Sequence, residues 1–126
     1  IHDAKQMAQQ HPDSLLWELC DHDLEKMNAK MPFDAADAGD MCGKTLVDNY
    51  IQYLADGITD LANIFRPDLI VLGGGVCAQG EKLTEPLNEH LRANCFGNTV
   101  AYVPRTVVAK NGNQAGIIGA AGLVWQ

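Results

Sequence analysis

The chain has no basic cluster, no paired-cysteine motif, no like-charge block and no apolar run long enough to span a bilayer, and each absence removes a class of function. The 9 Lys and Arg side chains are scattered from Lys5 to Lys110 against 16 acidic ones, for a formal net charge of −7. Affinity for nucleic acid rests mainly on Lys and Arg contacts to phosphate, so this segment is expected not to bind it. Cys20, Cys42, Cys77 and Cys95 are widely spaced, with no CxxC pair and no His at zinc-finger distance. That argues against a metal knuckle and against a disulfide framework. Free thiols point to a reducing compartment, of which the cytoplasm is the simplest. The longest apolar stretches, around Leu69 to Ala78 and Ala115 to Trp125, fall well short of the roughly 20 residues of a spanning helix. No secretory signal opens the chain either, so no membrane is expected as a partner.

Catalytic signals are also thin. His2, His11, His22 and His90 each lie in polar surroundings with no second histidine at a ligand spacing, which reads as solvated surface. Asp37 and Asp40 have the chemistry to hold a metal or act as a base, but Asp40 is equally well placed to cap a helix. There is no G-x-S-x-G elbow and no Cys and His pair suited to nucleophilic catalysis. No catalytic residue and no metal ligand is therefore assigned within this chain.

What is present is enough to fold: 47% hydrophobic and 20% charged residues over 126 positions, without low-complexity tracts. The sequence opens at Ile1 without Met and stops at Gln126 directly after an apolar run, so it reads as a fragment of something longer. "IHDAKQMAQQ" predicts a helix, and "HPDSLLWELC" a second, with Asp13 or Ser14 as its cap and Leu15, Leu16, Trp17 and Leu19 as its apolar side. "MPFDAADAGD" predicts a short helical turn whose Ala35, Ala36 and Ala38 permit close packing. Beyond Asp40, the residues Leu46, Tyr50, Tyr53, Leu54, Ile58, Leu61, Ala62 and Phe65 recur at helical steps, giving one long helix that Pro67 ends. Gly57 interrupts it at a cost of about 1 kcal/mol relative to Ala, which a close neighbour would explain.

Leu69 to Leu72 form a continuous β-favouring run of the kind covered on both faces. "QGEKLTEPLNEHLRANC" follows as an amphipathic helix with Leu83, Leu87 and Leu91 on one side and Pro86 near its first turns. Thr106 to Ala109 mark a second strand, and "NGNQAGIIGAAGLVWQ" a last helix carrying Gly116, Gly119 and Gly122. Helix, strand, helix, strand, helix is an α/β arrangement with a small parallel sheet packed with helices. The expected division is a helical lead-in over 1–39, the long helix over 40–66 and an α/β unit over 67–126.

Gly73, Gly74 and Gly75 stand between strand and helix, where bare backbone lets a ligand approach and a helix start favours negative charge. Two phosphate motifs fail here. Gly73, Gly75 and Ala78 satisfy G-x-G-x-x-(G/A), but no carboxylate stands near Cys95, where a dinucleotide fold places one. Gly75 and Gly80 begin a phosphate-loop pattern that Glu81 breaks, because it sets an anion where lysine belongs. A tight strand-to-helix turn and a ligand contact both remain open for the three glycines. The Gly-rich last helix poses the same choice between close packing and a ligand.

Three segments together, "AGDMCGKTLVDNYIQYLADGITDLANIFRPDLIVLGGGV", "GEKLTEPL" and "NGNQAGIIGAAGLV", resemble the C-terminal part of sugar kinases of the repressor, open reading frame and kinase (ROK) family, glucokinases among them. The resemblance implies a C-terminal lobe fragment of the actin-like, ribonuclease H-like ATPase fold. It implies that Gly73, Gly74 and Gly75 pass beside the adenosine of ATP, with Val76 beginning the adjoining turn, and that the long helix lies at the hinge between two lobes. For the parent protein it implies ATP-dependent transfer of a phosphoryl group to a hexose hydroxyl, with Mg²⁺ as cofactor, a cytoplasmic location and, as in related kinases, a homodimer. The Asp-x-Gly-x-Thr phosphate hairpin, the catalytic Asp and the Cys-rich zinc segment of such kinases do not occur in this chain; zinc, like the catalytic machinery, would lie upstream. The fragment is therefore expected to be inactive alone. The alternatives are the effector-sensing half of a ROK transcriptional repressor and, third, a dinucleotide-binding module.

Overall fold

The computed structural model describes residues 1–114; the glycines of the expected last helix, Gly116 to Gly122, lie outside them. The chain divides into two compact units, Ile1–Tyr50 and Ile51–Gln126, each with its own core.

The first unit is helical: α1 (His2–Gln10), α2 (Leu15–Leu19), α3 (Met31–Asp37) and the opening turns of α4 (Met41–Phe65). Ser14 starts α2, its hydroxyl accepting the Leu16 N–H at 3.2 Å. Asp40 starts α4 by accepting the Gly43 N–H at 2.8 Å, and its other oxygen accepts the Leu15 N–H at 2.8 Å. One carboxylate thus closes the N-terminus of one helix and holds the beginning of another. Ala4, Ala8, Leu16, Cys20, Met27, Ala35 and Leu46 are the buried residues this arrangement encloses. Of the three alanines, Ala35 and Ala36 permit close packing, while Ala38 is exposed. A Cβ on Gly43 would lie 2.6 Å from the Ala36 nitrogen and 2.7 Å from the Ala35 Cβ, so backbone meets backbone there.

The second unit continues α4 and adds β1 (Leu69–Leu72), a 3₁₀ turn (Gly75–Gln79), α5 (Glu81–Asn94), β2 (Arg105–Val108) and a last 3₁₀ turn (Gly112–Gln114). The strands are parallel, with Leu69 opposite Arg105 and Leu72 opposite Val108. Leu83, Leu87 and Leu91, one face of α5, are fully buried with Ala55, Ile58, Ala62, Cys77 and Cys95. Burying each of these leucines contributes about 1.5–3 kcal/mol. Asn88, one turn from Leu91, joins α5 to β2: its Oδ1 accepts the Thr106 N–H at 2.6 Å and hydroxyl at 3.0 Å, and its Nδ2 donates to the Thr106 carbonyl at 3.1 Å.

Several expectations from the sequence are refined or corrected. Among the described residues β1 is covered on one face: Ile70 and Leu72 pack on the core while Leu69 and Val71 are exposed. Along α4, Ile58 and Ala62 of the periodic apolar positions are buried, while Tyr53, Leu61 and Phe65 are 76%, 52% and 72% exposed. Gly57 has no neighbour within 4 Å of where its Cβ would be, so local packing does not account for it. Pro86, the sixth residue of α5, does lie near its first turns, though past the first turn, the one that tolerates proline best. Of the histidines, His90 is not a solvated residue either: its side chain is 20% exposed and its Nε2 sits 3.2 Å from Asp56 Oδ1.

Candidate functional site

β1 ends at Leu72, and the chain then crosses the top of the strand through Gly73, Gly74 and Gly75, all three exposed. Only Gly74 is there for its conformation. Its φ of +99° belongs to the region that L side chains avoid, and it precedes the 3₁₀ turn that Gly75 opens. Gly73 and Gly75 lie outside that region, and a Cβ on any of the three would meet nothing within 4 Å. Among the described residues, neither a positive φ nor a packed neighbour requires those two glycines. The Cys77 N–H donates to the Gly74 carbonyl at 3.2 Å, and the Cys77 side chain turns into the core, where burial pushes its thiol up from the ordinary range. Val76 is partly buried and packs against the same core.

The loop after β2 rises beside this ledge. The Ala109 N–H donates to the Leu72 carbonyl at 2.8 Å, which carries the parallel ladder one rung past the strands and ties the two loops at their roots. The second loop then closes on itself, with Gly112 N–H to the Ala109 carbonyl at 2.9 Å and Gln114 N–H to the Asn111 carbonyl at 3.1 Å. The "AKNGNQAG" segment thus starts next to Gly73, at the carboxyl ends of parallel strands where ligands of α/β sheets usually bind. The phosphate-loop reading stays rejected, since Gly80 makes a separate turn with φ +58° and Glu81 opens α5.

Of the two acidic candidates, Asp40 is engaged as a cap. Burial pushes its carboxyl up, but the N–H groups of Gly43, Leu15 and Cys42 and the Ser14 hydroxyl outweigh that and hold it below the ordinary carboxylate range. A groove of about 500 Å³ beside it in the first unit is lined by Met7, His11, Asp13 and Met41. Among the described residues no group of three His, Cys, Asp or Glu side chains is placed to hold a metal ion. No described helix is long and apolar enough to cross a membrane.

The match to the ROK family covers residues 5–126. A glucokinase of Halalkalibacterium halodurans is 40% identical over 100 residues, which is 79% of this chain and 30% of that protein. A β-glucoside kinase of Klebsiella pneumoniae is 38% identical over 97 residues, 77% of this chain and 30% of its own length. The chain therefore spans about a third of the curated relatives it matches. Among solved structures, that of a ROK family glucokinase from Streptomyces griseus, in complex with glucose and AMPPNP, superimposes with a TM-score of 0.84 at 29% identity, covering 97% of this chain and 40% of that one. With a family match over nearly all its length and a fold match as broad, the chain belongs to the ROK family and has the α/β architecture of part of an actin-like ATPase fold.

Proposed function

We propose that this chain is the nucleotide side of an ATP-dependent hexose kinase, and that Gly73, Gly74 and Gly75 form the ledge along which the adenosine of ATP lies, with Val76 starting the turn behind it. The observation that carries this is the pair of glycines, Gly73 and Gly75, that neither a left-handed φ nor a packed neighbour demands. Removing side chains at an exposed strand end is useful where something else must come close to the backbone. The family supports the same reading: relatives are named glucokinase, β-glucoside kinase and N-acetyl-D-glucosamine kinase, and the Streptomyces griseus structure holds both glucose and an ATP analogue. Because these names differ in the sugar, the substrate is proposed as a class, a hexose or its N-acetylamino derivative.

In the intact protein the γ-phosphoryl of ATP passes to a sugar hydroxyl, a reaction governed by positioning and electrostatics. This chain contributes the base-and-ribose side of that positioning. Among the described residues no group of three His, Cys, Asp or Glu side chains is gathered for a metal, and no step through Mg²⁺ is assigned to them. With no Asp-x-Gly-x-Thr hairpin in the sequence, the 126 residues alone are expected to be nearly inert. The test is a coupled assay of the intact protein with ATP and a panel of hexoses. Sugar phosphate from at least one hexose is the expected result, with none from the 126-residue chain by itself. Tighter binding of NAD than of ADP, or no phosphorylation of any hexose, would overturn the proposal.

A further inference from the structure

We infer that Lys110 is a second binding element of the same crevice and supplies the positive charge that meets the phosphates of the nucleotide. The inference rests on the adenosine reading of the glycine ledge and extends it from the base and ribose to the charged part of the ligand. Its starting point is register. Leu72 stands opposite Val108, and the Ala109 N–H reaches the Leu72 carbonyl at 2.8 Å, so the last rung of the ladder lies between the residue before Gly73 and the residue before Lys110. The lysine thus enters its loop one residue past the bond that joins the roots of the two loops.

Three further observations single it out. First, Lys110 is exposed and has no ion-pair partner among the described residues, whereas Lys5, Lys26 and Lys30 are each within 3.0 Å of a carboxylate. Second, the segment it belongs to is held in shape by the Gly112 and Gln114 turn bonds, and Gly112 adopts φ +52° to allow them. A lysine on a fixed loop loses less freedom on meeting a ligand than one on a loose segment. Third, no other charged residue lies between Gly73 and Gly80 or between Ala109 and Gln114, in a chain whose net charge is −7. An anion approaching the ledge finds Lys110 as the one cation of its two walls, and elsewhere meets a predominantly acidic protein.

The experiment is equilibrium titration of the intact protein carrying this chain with ADP and, separately, with adenosine, at low and at high salt. For Lys110→Ala the expected loss of ADP affinity is about fivefold, the size of one solvent-screened charge contact. Adenosine affinity stays within about twofold, the difference between wild type and variant shrinks as salt is raised, and Lys110→Arg restores ADP binding. Lys26→Ala, which removes an ammonium already paired with Asp21, leaves both ligands unaffected. Unchanged ADP affinity in Lys110→Ala, or an equal loss for ADP and adenosine, overturns the inference while leaving the adenosine ledge standing. Failure of the wild-type protein to bind adenosine overturns both.

Discussion

Replacing the three ledge glycines one at a time with alanine separates a turn from a ligand site. Neither Gly73 nor Gly75 has a φ in the positive region, and a Cβ at either meets nothing within 4 Å among the described residues. At such positions Gly→Ala stabilises by about 0.4–1 kcal/mol through the unfolded chain, so thermal midpoints should hold or rise. Gly74, with φ +99° and ψ 174°, forces alanine into an extended positive-φ conformation open almost only to glycine, at a cost of about 1–3 kcal/mol, so its midpoint should fall. Nucleotide binding should run the other way for the outer pair. A methyl group standing on a surface against which a ribose or base lies flat moves the ligand outward, and a tenfold loss corresponds to about 1.4 kcal/mol. Melting curves of the intact protein with and without ADP read both effects together, since ligand at 100 times Kd adds about 2.7 kcal/mol to wild type. The expected pattern is a preserved midpoint with a diminished ADP shift for Gly73→Ala and Gly75→Ala, and a lowered midpoint for Gly74→Ala. If both outer variants keep the full ADP shift, adenosine does not lie on this backbone. If both lose more than about 1 kcal/mol without ligand, the fold itself requires the glycines and the reasoning from their surplus fails.

Asn88→Ala removes all three hydrogen bonds to buried Thr106 and should destabilise by about 2–3 kcal/mol, whereas Asn88→Asp recovers only the acceptor half; urea titration measures both. Gly43→Ala places a methyl 2.6 Å from the Ala36 nitrogen and should cost about 1–3 kcal/mol, read as a shift in urea midpoint with an unchanged slope. Asp40→Ala should cost about 1–2 kcal/mol at neutral pH as two helix starts lose their acceptor. Because the Asp40 carboxyl is held below its ordinary value of 3.8, its contribution is fully present above that pH and fades as pH falls below it. A wild-type and Asp40→Asn pair whose stability difference does not narrow on acidification would contradict this.

Most of the element order was legible because the signals are local. Ser14, Asp40 and Pro67 mark helix ends by chemistry that needs no tertiary context, and Leu83, Leu87 and Leu91 declare a buried face by spacing alone. Exposure was less legible, because it depends on what lies opposite. Leu69 to Leu72 have the composition of a doubly covered strand, yet nothing in four residues says that a sheet of two strands covers one side. Gly43 and Gly57 are both glycines in one helix, and the sequence made Gly57 conspicuous while passing over Gly43. The helix contact is at Gly43, against alanines about seven positions away, a separation too long for either motif or periodicity to reveal. At the site, the three glycines were visible as a motif, but their neighbour was not. That the loop beginning at Ala109 starts at the root of the ledge follows from strand register, which is decided by pairing rather than by composition.

The Asn88 clasp also sets a direction of growth for the sheet. In a parallel ladder alternate residues of a strand turn their N–H and carbonyl to opposite sides, and Ala109 faces β1 through its bond to Leu72, so Thr106 offers its pair to the far side. There the carboxamide of Asn88 takes both, as a neighbouring strand would. An incoming strand can pair with β2 at that rung only by evicting a side chain from a helix whose leucines are buried. β2 is therefore a finished border guarded from edge-to-edge association, and any strand added to this sheet has to come in along β1.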